Sequence, residues 1–350
     1  MASTNLSRRR FNALLAASLA LPAAAAPDPV PSMLPLIKPP RLRKGDVIGL
    51  VAPGGYTDDA SIDKAVRHIE ALGFRVRQGA WLREVWGNYG GTVAARIADL
   101  HGMFRDPEVK AIWAIRGGSG CISLLKHLDY GLMRRHPKIL LGYSDITALH
   151  LAIGRHAGLV TFHGPVATST PSAYSDEHML AVLMDPRPSY TIPMAQENAR
   201  KALQEPQYAL RTVHGGVATG RLVGGNLSLV SALAGTPYAA DYRDAILFIE
   251  EVNEEPYRID RWMTQLDLSL PLAQAAAVMI GICENCGPQG EGPSLSLNET
   301  FDVHLQPLQV PAVSGYSFGH IRHQFTMPLG VRATLDTGAQ TLTLLEPAVT

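Results

Sequence analysis

The chain has 350 residues, of which 46% are apolar, and its 31 basic side chains balance its 31 acidic ones. A chain of this length predicts two domains, since single domains commonly hold about 100–200 residues. The balanced charge gives no electrostatic reason to expect a nucleic-acid partner.

Residues 1–26 predict an export signal that is removed from the mature protein. Arginines at positions 8–10 precede Phe11, and an alanine-rich apolar run over 13–26 ends in a triple-alanine cleavage site. The run is too short to span a bilayer, so we expect no stable membrane insertion. Paired arginines before a phenylalanine resemble a twin-arginine signal, and an ordinary secretory signal is the alternative. We therefore expect the mature protein in the periplasm or otherwise outside the cytoplasm.

Residues 27–40 predict an extended, proline-rich leader, and an α/β pattern follows over 41–170. The apolar runs that predict strands in this part lie at 46–52, 74–77, 111–115 and 139–141. Helical periodicity separates them, at 62–72 and 93–104. Strands that alternate with helices predict a flavodoxin-like parallel sheet with helices on both faces.

Glycines mark three of the predicted strand ends, at 53–55, 117–118 and 142–144. Functional groups in parallel sheets collect beyond the carboxyl ends of the strands, so we expect these three segments to face one space. A dinucleotide-binding loop is a competing use of such glycines. The first strand-to-helix turn lacks the Gly-x-Gly-x-x-Gly pattern that this use requires.

The sequence Gly-Tyr-Ser-Asp at 142–145 predicts a nucleophile elbow, in which a sharp strand-to-helix turn exposes one serine hydroxyl. Ser144 is then the candidate nucleophile. The backbone N–H of Asp145 at the helix start and that of Gly118 are candidate donors to a developing oxyanion. Ile146 stands where the usual pattern has a second glycine. A helix N-cap is the alternative use of this serine and the aspartate after it.

The pattern changes after residue 170. We expect a crossing linker over 171–215 and then a smaller, β-rich domain over 216–345. The short strands predicted in that domain lie at 220–225, 245–249 and 275–280, and a helix is predicted at 257–266.

A serine nucleophile needs a base and a group that orients the base. Glu250 and Glu251 follow a buried strand, and His320 follows Phe-Gly in a loop. Each has an ordinary structural explanation as well, because strand-end carboxylates are usually solvated and most histidines are structural. The histidines that compete with His320 for the role of the base are His150, His163 and His323.

The cysteines of the chain are Cys121, Cys283 and Cys286. The spacing of the last two is that of a redox motif, but a thioredoxin-like site lies near the start of a βαβ unit and not late in the chain. Two cysteines without further ligands do not make a zinc site. We interpret the pair as structural and leave a local disulfide open.

Seven motifs, in this order, resemble those of the LD-carboxypeptidases. They lie at 44–53, 116–118, 142–145, 163–165, 220–226, 247–251 and 318–320. The resemblance spans about residues 36–345. It implies a triad with Ser144 as the nucleophile, His320 as general base and then acid, and Glu250 as the orienting carboxylate. Glu250 is favoured over Glu251 because the family's glutamate directly follows the strand.

The resemblance also implies oxyanion donors at the backbone N–H groups of Gly118 and Asp145. The reaction it implies is cleavage between an L-configured diamino acid centre and the terminal D-alanine of murein tetrapeptides, without a metal or organic cofactor. It further implies a homodimer. Arg116 is a candidate for binding the D-alanine carboxylate, and bracing the strand end is its alternative role.

Two other functions remain open. A microcin-immunity-type peptidase of the same fold would cleave an acyl-sulfamoyl or peptidyl adenylate, and an aromatic side chain placed to stack on adenine would favour it. A murein-peptide binding protein without catalysis is the third hypothesis. The export signal is a departure from the murein-recycling members, which commonly work in the cytoplasm.

Overall fold

Two β-sheets organise residues 34–350, which are the part of the chain that the computed structural model describes. The expected export signal at 1–26 and residues 27–33 of the expected leader lie outside the described residues.

The strands of this part are, in chain order, β1 (Val47–Val51), β2 (Arg75–Gln78), β3 (Val109–Ala114), β4 (Ile139–Gly142), β5 (Thr161–His163), β6 (Tyr190–Ile192), β7 (Arg211–His214), β8 (Val217–Asn226), β9 (Ala245–Glu250), β10 (Ala277–Gly281), β11 (Ala312–Tyr316), β12 (Met327–Leu329), β13 (Arg332–Asp336) and β14 (Thr341–Leu344). The α-helices are α1 (Asp59–Ala71), α2 (Val93–Arg105), α3 (Tyr130–Arg135), α4 (Thr147–Ala157), α5 (Ala173–Met184), α6 (Gln196–Lys201), α7 (Leu227–Ala232), α8 (Pro256–Ser269) and α9 (Leu297–Leu305).

Polar side chains fix where several helices begin. Asp58 accepts a hydrogen bond from a backbone N–H of the first turn of α1, and Thr92 does the same for α2. Ser172 caps α5, and Ser296 forms a reciprocal capping box with Glu299 at the start of α9. Such caps satisfy backbone donors that a helix leaves free in its first turn.

The first sheet has six strands in the spatial order β12-β5-β4-β3-β1-β2. Strands β1 to β5 pair in parallel, and β12 pairs antiparallel with β5. The order 2-1-3-4-5 is that of flavodoxin-like sheets, in which ligands bind at the reversal between β1 and β3. Every residue of β1 and β4 is buried, as in parallel strands that are covered on both faces. The predicted parallel sheet is confirmed.

The second sheet has eight strands in the order β6-β14-β13-β8-β9-β10-β11-β7. Strands β8, β9, β10 and β11 form a parallel centre, and antiparallel strands flank it on both sides. The predicted β-rich second half is confirmed. Because its central strands are parallel, the carboxyl ends of β8, β9 and β11 lie on the same side of the sheet, which we call its carboxyl edge.

The structure differs from the predicted linker over 171–215. This segment contains helices α5 and α6 and strands β6 and β7, and both strands join the second sheet. β6 has three residues and pairs with β14, about 150 residues later in the chain. Strands this short carry almost no local periodicity, so only the distant pairing reveals them.

One hydrophobic core joins the two sheets. Leu141 and Phe162 of the first sheet belong to the same cluster of buried side chains as Phe248 and Phe318 of the second half. Strand β12 adds a hydrogen-bonded link, since it belongs to the second half of the chain and pairs with β5 of the first sheet. Within residues 34–350, no helix combines the length and the apolar character needed to cross a membrane.

Candidate active site

Ser144 occupies a strained turn directly beyond β4. Its φ is +64°, in the left-handed region that residues other than glycine rarely adopt. The residue opens a single 3-10 turn, Ser144–Ile146, which leads into α4. Gly142 permits the close packing there, since a Cβ on it would lie 3.0 Å from Ile146 Cγ1. Such strain at a strand-to-helix turn is the property of a nucleophile elbow.

The loop after β3 lies against this serine. A Cβ on Gly117 would lie 2.8 Å from Ser144 Cβ and 3.0 Å from Ser144 Oγ. Gly118 has a φ of +101°, which only glycine adopts without strain. The Gly55 N–H donates to the Gly117 carbonyl oxygen at 2.7 Å, so the loop after β1 holds the loop after β3. The Gly118 backbone is therefore fixed beside the hydroxyl.

A buried polar network ties these loops to residues 142–146, which we name the nucleophile turn after the predicted role of Ser144. The Cys121 N–H donates to Asp145 Oδ2 at 2.9 Å, and Arg96 Nη1 donates to the Pro53 carbonyl oxygen at 2.8 Å. Asp145 and Arg96 are both buried. Burial raises the pKa of Asp145, although the Cys121 N–H and the Arg96 charge oppose that shift. The carboxylate side chain of Asp145 is thus a structural anchor, which leaves its backbone N–H as the candidate donor.

His320 and Glu250 form a hydrogen-bonded pair at the edge of the second sheet. His320 Nδ1 lies 2.7 Å from Glu250 Oε2. Glu250 is the last residue of β9 and has no exposed surface. Gly319 has a φ of +121°, and a Cβ on it would lie 2.6 Å from the Ile282 carbonyl oxygen and 3.2 Å from Glu250 Cβ. A glycine before the histidine is therefore required for this approach.

The contact raises the pKa of His320 and lowers the pKa of Glu250, which favours the charged form of each. Burial works against the charged imidazolium, yet the Glu250 carboxylate raises the pKa of His320 above its ordinary value. Burial alone would raise the pKa of Glu250, but the charge and hydrogen bond of His320 hold it below its ordinary value. Glu250 therefore stays ionised and can stabilise a protonated His320.

Glu251 has a different place. Its carboxylate accepts hydrogen bonds from Asn226 Nδ2 at 2.9 Å, from the Ser228 N–H at 2.9 Å and from the Val252 N–H at 3.0 Å. Both of its oxygens are occupied by the end of β8 and the start of α7. It braces the edge of the sheet, while Glu250 faces the histidine.

The carboxyl ends of the strands of the two sheets come together at Thr147, the first residue of α4. The Asn226 N–H donates to Thr147 Oγ1 at 3.0 Å, and both residues are buried. Gly225 has a φ of +140°, and a Cβ on it would lie 2.5 Å from Thr147 Oγ1. The helix that begins at the nucleophile turn is thereby docked on the end of β8.

A single cleft of about 400 Å³ contains residues from both sheets. Ser144, Gly117 and Gly118 line it from the first sheet, and His320 lines it from the second. Within the described residues no hydrogen bond joins Ser144 Oγ to His320, and catalytic contacts often tighten only when substrate binds. The structure thus brings the predicted residues to one space, and their catalytic roles stay a prediction.

Arg116 lies at the exposed rim of this cleft, where its Nη1 donates to the Tyr56 carbonyl oxygen at 3.2 Å. The guanidinium therefore faces the cleft and also supports the loop after β1. Both roles that the sequence left open for Arg116 agree with this position.

Sequence reasoning missed the polar segment that follows β1. Tyr56, Thr57 and Asp58 line the cleft opposite the nucleophile turn, and Thr168 lines it after β5. The available signal was their position directly after the glycine-rich end of β1, which faces the same space as Ser144.

A larger cavity, of about 500 Å³, lies between the start of α8 and the loop at 288–295. It contains none of the predicted site residues and no buried ionisable pair. We place the site in the smaller cleft because the strained serine and the histidine–carboxylate pair are there.

The competing histidines have other places. His150 Nε2 lies 2.8 Å from the Gly142 carbonyl oxygen, and His323 Nδ1 lies 2.8 Å from Ser172 Oγ. His163 is fully buried behind the site. No group of three or more metal-ligating side chains in residues 34–350 is arranged to hold a metal ion. All three cysteines are buried free thiols, and burial raises the pKa of Cys121 well above its ordinary value.

Both halves of the chain match known protein-family domains. Residues 48–164 match the LD-carboxypeptidase N-terminal domain, and residues 219–335 match the LD-carboxypeptidase C-terminal domain. The first match contains the nucleophile turn, and the second contains the histidine–carboxylate pair.

Relatives are similar along most of their length. A probable murein peptide carboxypeptidase of Bacillus subtilis (strain 168) is 38% identical over 311 residues, which cover 87% of this chain and 93% of that protein. A murein tetrapeptide carboxypeptidase of Pseudomonas aeruginosa is 31% identical over 295 residues, with 83% and 92% covered.

A solved structure has the same fold. The crystal structure of an MccF-like protein from Bacillus anthracis aligns with a TM-score of 0.77 and 30% sequence identity, covering 88% of this chain and 99% of that one. The domain matches, the relatives and the shared fold together confirm the resemblance of the motifs: this chain belongs to the LD-carboxypeptidase family and is a serine-type carboxypeptidase.

Proposed function

We propose that the protein is a murein LD-carboxypeptidase that releases the terminal D-alanine of tetrapeptide stems with Ser144, His320 and Glu250. The observation that carries this proposal is the 2.7 Å contact between His320 and Glu250 at the cleft that holds the strained Ser144. The names of the Bacillus and Pseudomonas relatives support the substrate class.

In the first half of the proposed mechanism, Ser144 Oγ attacks the carbonyl carbon that precedes D-alanine, and His320 Nε2 takes the hydroxyl proton. His320 keeps its Nδ1 proton on Glu250 Oε2, so the carboxylate stabilises the imidazolium that forms. The oxyanion accepts hydrogen bonds from the N–H groups of Gly118 and Asp145. The C–N bond then breaks, His320 returns its proton to the leaving amine, and D-alanine departs.

The second half regenerates the enzyme. Water attacks the acyl ester, and His320 takes the water proton as general base. The second tetrahedral intermediate collapses with proton return to Ser144 Oγ, which frees the tripeptide carboxylate. Arg116 at the rim is the proposed partner of the D-alanine carboxylate, since a guanidinium binds a carboxylate through paired hydrogen bonds.

The decisive experiment incubates the mature protein with purified murein tetrapeptide and measures free D-alanine and tripeptide by mass spectrometry. We expect the wild type to release D-alanine and S144A to lower turnover by about 10⁴-fold or more. S294A, which changes an exposed serine outside the cleft, is the matched control and should keep wild-type turnover. A wild type that binds the peptide without releasing D-alanine would establish the binding-protein hypothesis instead.

The export signal predicted at 1–26 supports a place of action outside the cytoplasm, where the enzyme would meet stems on the sacculus or turnover fragments before uptake. Fusion of residues 1–40 to a reporter that is active only after export tests this. Replacement of Arg8 and Arg9 by lysine should block export by the twin-arginine route and leave an ordinary secretory route working. A reporter that stays in the cytoplasm with the unchanged signal would contradict the proposal.

The proposed homodimer is tested by light scattering of the mature protein.

A microcin-immunity-type activity is the second candidate. Two observations favour it: the similarity to the MccF-like structure, and the exposed aromatic ring of Tyr56 at the cleft, which is accessible for stacking on a nucleobase. An aminoacyl-sulfamoyl adenosine offered beside the tetrapeptide decides between the two. Preferential hydrolysis of the adenosine compound, reduced in Y56A, would support the second function.

A further inference from the structure

His163 is a buried histidine for which the proposed mechanism has no use. It is the last residue of β5 and has no exposed surface. Neither of its ring nitrogens has a hydrogen-bond partner among residues 34–350. A neutral imidazole carries one N–H donor and one acceptor, and buried polar groups of this kind are nearly always paired. Two unpaired nitrogens at this depth therefore need an explanation.

The place of His163 in the sheet is close to the nucleophile. In the parallel register of β4 and β5, His163 is the partner of Gly142, which lies two residues before Ser144. The ring of Tyr143 lies 6.0 Å from the His163 ring in an edge-on arrangement. The first sheet thus holds His163 directly behind the turn that carries the nucleophile.

The other side of His163 faces the strand that ends in Glu250. The ring of Phe248, two residues before Glu250 on β9, lies 5.5 Å from the His163 ring. The titratable groups whose charges act on His163 are Glu250, His320 and His150, with the Tyr143 ring beside them. Among these groups, Glu250 carries the carboxylate. One of its two buried oxygens has no hydrogen-bond partner in residues 34–350.

That atom is Glu250 Oε1. Glu250 Oε2 accepts the hydrogen bond from His320, whereas Oε1 is buried without a hydrogen-bond partner in residues 34–350. A buried carboxylate oxygen is a strong acceptor, because removal from water strengthens the electrostatic part of a hydrogen bond. His163 is a candidate donor to this acceptor. The other nearby donor, the Asn226 side chain, also lowers the pKa of Glu250 but gives its Nδ2 to Glu251 Oε1 at 2.9 Å.

We propose that His163 is a positioning residue of the catalytic site, which donates its ring N–H to Glu250 Oε1 and fixes the carboxylate that orients His320. This inference rests on the proposed triad. Burial lowers the pKa of His163 to about 4, so the ring is neutral at the pH of catalysis and carries one N–H to donate. In this structure both atoms are unpaired, so the proposed hydrogen bond forms only when the Glu250 carboxylate or the His163 ring turns toward the other. Once formed, it would join the first sheet to the second directly behind the proposed triad.

The proposed donor has a defined electrostatic effect. A hydrogen bond to Oε1 stabilises Glu250 more when His320 is neutral than when the imidazolium already neutralises the carboxylate. Its removal therefore raises the pKa of His320 and leaves the carboxylate free to rotate. A residue that only fills space would change stability without moving this pKa.

Thr326 offers the other partner for His163. Its Oγ1 is also buried and unpaired among the described residues, and the next residue, Met327, pairs with His163 across β12 and β5. T326V removes this hydroxyl while keeping the shape of the side chain. It is therefore the matched control for a bond between His163 and Glu250.

The experiment compares the pH dependence of kcat/KM for D-alanine release by the wild type, H163F, H163Q and T326V. Phenylalanine fills the ring site without a donor, and glutamine restores an N–H. We expect H163F to lower kcat by about 10- to 100-fold, by analogy with the cost of removing a residue that orients a metal ligand. The acid limb should move to higher pH by about half a unit or more. H163Q should recover most of both effects, and T326V should match the wild type.

An acid limb of H163F that coincides with that of the wild type, or T326V reproducing the H163F shift, would overturn the proposal. A second measurement is independent of turnover: nitrogen NMR of histidine-labelled protein. The His163 N–H resonance should move in E250Q and stay in place in S144A, and an unmoved resonance in E250Q would also overturn it. A wild type without D-alanine release would instead count against the proposed function, and the NMR comparison separates the two failures.

Discussion

At the scale of single residues, the candidate site depends on a glycine without a side chain as much as on the side chains proposed to react. Gly117 leaves room for the Ser144 side chain, and a Cβ there would lie within 3.0 Å of both Ser144 Cβ and Ser144 Oγ. Contacts this short force the serine or the loop to move. A methyl group at this position therefore acts directly on the proposed nucleophile, Ser144.

We expect G117A to lower kcat/KM by about 100-fold or more, because displacement of a nucleophile by about 1 Å costs that much. G102A is the matched control, since Gly102 is exposed on α2 and a Cβ there meets nothing within 4 Å. That control should keep full activity and gain about 0.5–1 kcal/mol in the free energy of unfolding. Steady-state kinetics and urea unfolding of both variants measure this, and equal activity of the two would contradict the packing explanation.

The His320–Glu250 pair sets the pH dependence of the proposed reaction. The base must be neutral, and its pKa is raised by the carboxylate. Activity should therefore fall as the pH drops below a midpoint above about 6.5, the ordinary histidine value. In E250Q the charge is lost, so the midpoint should move to lower pH.

E250Q should also lower kcat by about 10⁴-fold, because an amide at this position favours the wrong histidine tautomer. E251Q is the informative comparison, since the Glu251 carboxylate accepts its hydrogen bonds from the end of β8 and the start of α7. A pH–rate profile for each variant provides the measurement. An acid limb that stays in place in E250Q would show that His320 is not the base.

At the scale of elements, helix α4 connects the two sheets. Thr147 at its first position accepts the Asn226 N–H from the end of β8, and both residues are buried. This hydrogen bond fixes the nucleophile turn relative to the edge that carries Glu250. This one hydrogen bond therefore helps to set the distance between Ser144 and His320, which line the same cleft.

T147V removes the acceptor while keeping the shape of the side chain. We expect a loss of about 1–3 kcal/mol in the free energy of unfolding, because the Asn226 N–H remains buried without a partner. T147S keeps the hydroxyl and should retain most of the stability and the activity. Urea unfolding together with kcat of the two variants decides; equal behaviour of valine and serine would show that the hydroxyl is not needed.

Elements also show where sequence patterns failed. For the strongly apolar strands β1, β4 and β9, the predicted ends agree with the structure within one or two residues. Strands β6 and β12 have three residues each and were missed. Both strands form because a strand distant in the chain supplies their hydrogen bonds. The local sequence around β6 or β12 does not indicate which strand that is.

At the scale of the whole molecule, buried neutral histidines make stability depend on pH. Burial lowers the pKa of His150 to about 3 and that of His163 to about 4. In the unfolded chain both return to the ordinary value of about 6.5. Below that pH the unfolded state binds more protons than the folded state, so stability falls as the pH drops from about 6.5 toward 4.

H150Q keeps a donor toward the Gly142 carbonyl oxygen but does not titrate. We expect its unfolding free energy to fall less steeply with decreasing pH than that of the wild type, by about 1.4 kcal/mol per pH unit between pH 6 and 4.5. The raised pKa of His320 acts in the opposite direction and is unchanged in this variant. Urea unfolding across that range measures the slope, and parallel curves for the two proteins would contradict it.

The sequence by itself determined the alternation of strands and helices in the first half, the parallel sheet that follows from it, and Ser144 as an unusual residue. These are local properties, since apolar periodicity and a glycine-rich strand end are contained within a few residues. The motifs also carried the family resemblance.

Only the tertiary structure decided that His320 contacts Glu250 and not another carboxylate, and that Thr147 docks on β8. It also placed His163 between the nucleophile strand and the strand of Glu250. His320 and Glu250 lie 70 positions apart in the chain, and Thr147 and Asn226 lie 79 positions apart. Their proximity is set by how two sheets share one core, which is a property of the packed chain and not of any segment of it.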